Sequence, residues 1–138
     1  MIALDTNVLA RAIAVEMNAD AATKAQRRRG QALLSSGSQL FVPVTVIEEL
    51  ELVLRGAYGM PPEDIAAVFE DMLAVDNLTV DRAAAVSQAL VWYRQGLDFS
   101  DALHLAQSGP CTGLATFDTR FARTARRLGL EPAVSAPG

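Results

Sequence analysis

The sequence predicts an α/β protein: a three-layer α/β/α sandwich with a central parallel sheet of four to five strands. Three observations predict it. Short apolar, strand-like runs alternate with longer stretches of helical periodicity. Helices fall between the strands, which suits parallel pairing through right-handed crossovers with both sheet faces covered. The chain has 138 residues, 51% hydrophobic and 20% charged, and a chain of this size buries roughly two-thirds of the surface it exposes when unfolded. There is no repeat of about 20–50 residues and no Pro/Gly/Ser linker. Residues 1–134 are therefore read as one domain and residues 135–138 as a frayed tail.

Residues 2–4 read as a short buried strand. From residue 6 to 15 the spacing of Val8, Leu9, Ala12 and Ile13 predicts a helix, and residues 21–34 predict a second. Residues 39–42 form the next strand, which Pro43 ends. A helix over 44–57 follows and stops near Gly56 and Gly59. Pro61 and Pro62 restart a helix to about residue 73. A strand at 77–80 leads to a helix at 81–93, a break at Gly96, and a helix at 99–107. A strand at 114–116, a helix at 119–128 and a short strand at 131–134 complete the order.

The bulk chemistry excludes several classes. A single cysteine, Cys111, rules out an intrachain disulfide framework and lacks the Cys or His companions of a zinc site. No apolar stretch reaches the roughly 18 residues of a membrane span, and no signal-peptide pattern opens the chain, so a cytoplasmic protein is expected. The formal charge of −4 gives no global attraction to nucleic acid. Binding of a polyanion would have to come from local arginines and bound cations.

Ligands of open parallel sheets collect at the carboxyl ends of the strands. Asp5 follows the first strand and Asp118 follows Leu114-Ala115-Thr116-Phe117, so both fall at such ends. Each also precedes a helix, and either suits an N-cap as well as a ligand. On the helix at 44–57 the apolar stripe is read as Val46, Leu50, Val53, Leu54 and Ala57. At about 100° per residue this puts Glu49 on the stripe's border and turns Glu48 nearly opposite. A border glutamate with its stem buried and its charge in water is the bland alternative. In Leu97-Asp98-Phe99-Ser100-Asp101-Ala102-Leu103-His104 the two aspartates are three apart, with Asp98 a cap and Asp101 in the first turn. Gathered carboxylates raise one another's pKa and call for a cation. The only lysine, Lys24, is remote in sequence, and hard oxygen donors favour Mg²⁺ or Mn²⁺ over zinc.

Four motifs in order, Leu4-Asp5-Thr6-Asn7-Val8-Leu9, Val46-Ile47-Glu48-Glu49-Leu50-Glu51, Asp98-Phe99-Ser100-Asp101-Ala102-Leu103 and Leu114-Ala115-Thr116-Phe117-Asp118, resemble those of PIN-domain ribonucleases. The likeness is specifically to the VapC-type toxins of bacterial toxin–antitoxin pairs. It covers nearly the whole chain. The resemblance implies that Asp5, Glu49, Asp101 and Asp118 are an acidic quartet binding one or two Mg²⁺ or Mn²⁺ ions for hydrolysis of RNA phosphodiesters. It implies supporting roles for Thr6, Asn7, Asp98 and Thr116, a homodimer, and a small cognate antitoxin as partner. Leu52, off the stripe of its helix, suits an interface or a lone exposed leucine.

Arg120, Arg123 and Arg127 share one face of the helix at 119–128, opposite Phe121, Ala125 and Leu128. They are candidate contacts to the RNA backbone, with a merely solvated basic face as the alternative. Arg27, Arg28 and Arg29 are consecutive, fan around their helix and make a weaker candidate. His104 is read as structural, Trp92 and Tyr93 as core or interface residues, and Cys111 as a passive turn residue. Two rival readings remain. A haloacid-dehalogenase-like phosphatase would want Asp-x-Asp, but Asn7 holds the third position. A catalytically silent interaction module would keep the same fold.

Overall fold

The computed structural model describes residues 1–14 and 19–138. The last residue of the first expected helix, residue 15, lies outside them. Among the described residues there are seven helices and five strands, and every strand pairing is parallel, so the fold is α/β, with the element content of a three-layer α/β/α sandwich. Two compact units make it up, Met1–Ala83 and Ala84–Gly138.

The first unit carries β1 (Ile2–Ala3), α1 (Thr6–Ile13), α2 (Ala21–Leu34), β2 (Leu40–Val42), α3 (Val44–Gly56), α4 (Pro62–Ala74) and β3 (Leu78–Val80). Its ladder has the order β1-β2-β3, with Ile2 opposite Leu40 and Leu40 opposite Leu78. The helices start where local chemistry says they should. Asp20 caps α2 by accepting from the Thr23 N–H at 2.7 Å. Pro62 opens α4 with Glu63 and Asp64 in its first turn, where the helix dipole favours them. At α3 the N-cap is Pro43, which has no capping side chain; Asp81, just beyond β3, instead accepts from the Val44 N–H at 3.3 Å. Leu9, Leu40, Val42, Ile47, Leu50, Leu54, Ile65 and Phe69 are all buried.

The second unit carries α5 (Ala83–Arg94, beginning at the boundary), α6 (Phe99–Ala106), β4 (Gly113–Ala115), α7 (Thr119–Arg127) and β5 (Ala133–Ser135). β4 and β5 form their own parallel ladder, so the five strands are shared between ladders of three and two. Tyr93 and Phe99 meet edge to face with ring centroids 5.3 Å apart. This gives Tyr93 the core role expected of it, while Trp92 is half-buried.

Three expectations need correction. β1 is not a buried strand: Ile2 and Ala3 are exposed and only Leu4, just after it, is buried, although β3 at the opposite edge of the same ladder buries Leu78 and Val80. The buried stripe of α3 is Ile47, Leu50, Glu51 and Leu54, not the Val46, Val53 and Ala57 series. Ser135 is not frayed but pairs with Ala115, since Pro132 has no N–H to offer a ladder and the last strand starts after it. Among the described residues, no helix is long and apolar enough to cross a membrane.

Candidate metal centre

In the first unit the chain leaves β1 through the Leu4 N–H, which donates to the Phe41 carbonyl at 2.9 Å. It then turns at Asp5 into α1. Asp5 is the N-cap, extended at φ −86° and ψ 160°, and its Oδ1 accepts from the Thr6 N–H at 2.7 Å. The capping alternative is therefore realised, but with one oxygen only. Oδ2 of this exposed side chain makes no hydrogen bond among the described residues. Thr6 is 5% exposed, and its buried Oγ1 has no hydrogen-bond partner among the described residues. An unpaired buried hydroxyl is costly. Asn7 is exposed.

Glu49 stands on an exposed part of α3. With the buried stripe centred on Ile47, Leu50, Glu51 and Leu54, Glu49 points away from it, about 150° around the helix, and Glu48 is the half-buried neighbour. The angular argument for Glu49 as a border residue is thus overturned, and its assignment stands on the motif alone. The acid that sequence reasoning missed is Glu51, 1% exposed, whose Oε2 accepts from Arg55 Nε at 2.8 Å. The four-residue Glu–Arg spacing was the available signal.

The second unit gathers three aspartates. Asp98 caps α6, its Oδ2 accepting from the Asp101 N–H at 3.2 Å. Asp118 caps α7, its Oδ1 accepting from the Phe121 N–H at 3.0 Å. Thr116 braces it, its Oγ1 accepting from the Asp118 N–H at 3.0 Å. Asp101, half-buried in the first turn of α6, has its carboxyl pushed up to about 6. Burial is the largest cause; the negative charges of Asp98 and then Asp118 add to it, and His104 opposes. Electrostatics thereby ties together residues that are 17 apart along the chain, Asp101 and Asp118. His104 itself is exposed. Arg120, Arg123 and Arg127 are all exposed, and Phe121 and Ala125 fill the opposite, buried face of α7.

The donor chemistry fits a hard divalent cation. Three carboxylates repel one another at Asp101, a positive ion there would relieve that repulsion, and two of them hold one oxygen in capping and keep the other. Among the described residues no three His, Cys, Asp or Glu side chains stand together as a group that could hold a metal ion. Mg²⁺ commonly keeps several waters and takes only one or two protein carboxylates.

No curated protein and no solved structure matches the chain. The family model of the PIN domain matches residues 2–127, running through both units and covering all four acidic motifs. The chain belongs to the PIN domain family.

Proposed function

We propose that this chain is a Mg²⁺- or Mn²⁺-dependent endoribonuclease and the toxin of a toxin–antitoxin pair. PIN domains are in general nucleases that need a divalent metal. The observation that carries the reading is the repulsion at Asp101, whose carboxyl is pushed up by burial and by the charges of Asp98 and Asp118, a cost that a cation there would remove. Asp5, Glu49, Asp101 and Asp118 would hold one or two ions. Such an ion supplies positive charge at the scissile phosphate and an acidified water for in-line attack. Asp98 and Thr116 fix the positions of Asp101 and Asp118 through the two N–H bonds described above. The arginine face of α7 offers Arg120, Arg123 and Arg127 to the RNA backbone.

The purified chain, given structured RNA and Mn²⁺ or Mg²⁺, should cut it to products with a 5′-phosphate and a 3′-hydroxyl. Asp101→Asn and Asp5→Ala should each lose about 100-fold or more in rate. If neither metal supports cutting and Asp5→Ala is tolerated in cells no better than the wild type, the chain is a silent interaction module. For the biological role we propose a homodimer, with the 48% exposed Leu52 in an interface, and a small antitoxin encoded next to this gene. Light scattering of the purified chain, and growth rescue on co-expression of the neighbouring small reading frame, test those two points.

A further inference from the structure

A cleft of about 480 Å³, its lining polar and apolar in about equal parts, lies between α1 and α2, inside the first unit. Arg11, Arg29, Asn7 and Gln26 line it, and no carboxylate does. Arg11 is held in place: its Nη1 donates to the Tyr58 hydroxyl at 2.7 Å and its Nε to Gln26 Oε1 at 3.1 Å. Gln26 and Arg29 are three apart on α2 and so share a face. Gly30 sets how near that face comes to α1, since a Cβ there would lie 3.1 Å from the Val8 carbonyl oxygen. Among the described residues neither Arg11 nor Arg29 is in an ion pair, and the Asp20 carboxylate, which does not line the cleft, lies within electrostatic reach of Arg11.

Two guanidinium groups facing one cleft repel each other, and the remaining polar lining is neutral amide. In a chain of net charge −4 this is a local reversal of sign. Guanidinium forks match phosphate oxygens in geometry as well as charge, and a fork already anchored loses less freedom on binding. The cleft also continues from the carboxylate end of α1. Asn7 is two residues from Asp5, and Arg11 lies six residues on, about 9 Å of helix rise.

We propose that the Arg11–Arg29 cleft binds a backbone phosphate of single-stranded RNA adjacent to the phosphodiester that is cut. This rests on the nuclease reading above and adds to it a substrate-positioning subsite on α1 and α2. It gives the consecutive arginines of α2 unequal roles, with Arg29 in the cleft.

The test is anisotropy of a labelled single-stranded hexaribonucleotide in EDTA, where no cutting occurs, across about 50 to 200 mM KCl. Arg29→Gln, an exposed helix position whose change should leave folding intact, is expected to weaken binding about three- to tenfold. It should also flatten the slope of log K against log salt by about 0.7, and Arg11→Gln/Arg29→Gln by about twice that. Asp5→Asn should keep the full Arg29 dependence. Unchanged affinity and slope in Arg29→Gln and in the double variant overturn the proposal. Inorganic phosphate that binds through Arg29 while the hexamer binds wild type and variants alike also overturns it. Wild type that binds the hexamer through Arg29 yet cuts no RNA with Mn²⁺ keeps the cleft and defeats the nuclease reading. Wild type that cuts RNA with an Arg29-independent slope defeats the cleft alone.

Discussion

Asp101 and Thr6 each carry a local penalty that a metal-binding function would explain. Asp101 holds its proton up to about pH 6 when folded, against 3.8 for an ordinary aspartate. Between those values the folded chain keeps a proton that the unfolded chain has released. This group's stabilising contribution is therefore complete below pH 3.8 and is lost as pH rises through 6. Asp101→Asn keeps the shape and removes the charge. In EDTA near pH 7.5 it should be more stable than the wild type by about 1 kcal/mol, screening at a half-buried site limiting the gain. Urea midpoints of the two chains should approach each other toward pH 4, and a variant less stable at about pH 7.5 contradicts the repulsion argument. Thr6→Val makes a parallel case. Replacing a buried hydroxyl that lacks a partner by a methyl group should raise stability by about 1 kcal/mol, while cutting of RNA by the same variant should fall. A loss of stability in the urea midpoint would mean that the Thr6 hydroxyl is hydrogen-bonded after all.

At the scale of elements, the contact of α1 with α2 is set at one residue. Alanine normally exceeds glycine in a helix by about 1 kcal/mol. At Gly30 the new Cβ would press on the Val8 carbonyl at 3.1 Å and on Ala12 Cβ at 3.4 Å, both parts of a neighbouring helix that cannot swing aside. Gly30→Ala should therefore destabilise by about 1 kcal/mol. Gly56→Ala, with nothing within 4 Å, should stabilise by a few tenths. Chemical denaturation of the pair decides it, and a gain at both positions would mean that α2 stands further from α1 than described. The same elements show what the sequence could convey. Helix starts were legible at Asp5, Asp98 and Asp118 because a capping aspartate is a local signal, and Pro62 and Gly96 punctuate the chain equally locally. The stripe of α3 differs from the apolar count because its inner face includes the charged Glu51. Its ion pair with Arg55 lets it lie inside, and a count of apolar residues cannot register a paired acid. Asp98 near Asp101 was readable from a spacing of three, but the influence of Asp118 on Asp101 depends on tertiary folding. Likewise nothing in Arg27-Arg28-Arg29 says which arginine meets Arg11; the approach at Gly30 decides that.

For the whole molecule, metal binding and folding are one linked equilibrium. A cation that binds the folded chain and not the unfolded one stabilises it by about 2.7 kcal/mol when present at about 100 times its Kd. In a chain of this size that is a rise in Tm of about 10 °C. Protons compete for the same oxygens, and Asp101 holds its proton up to about pH 6. The Mn²⁺-induced rise in Tm should therefore be full near pH 7.5, where Asp101 is ionised, and should shrink near pH 5.5, where most of it is protonated. The direction is opposite to that of the metal-free chain, in which ionising Asp101 is the destabilising event, so Mn²⁺ near saturation should cancel the pH dependence that Asp101 gives between about 5.5 and 7.5. Asp101→Asn should show neither the rise nor the cancellation. Differential scanning calorimetry of both chains at the two pH values, with Mn²⁺ and with EDTA, measures all of this. A rise in Tm that is equal at both pH values, or that survives in Asp101→Asn, would place the cation on other carboxylates and remove Asp101 from the metal centre.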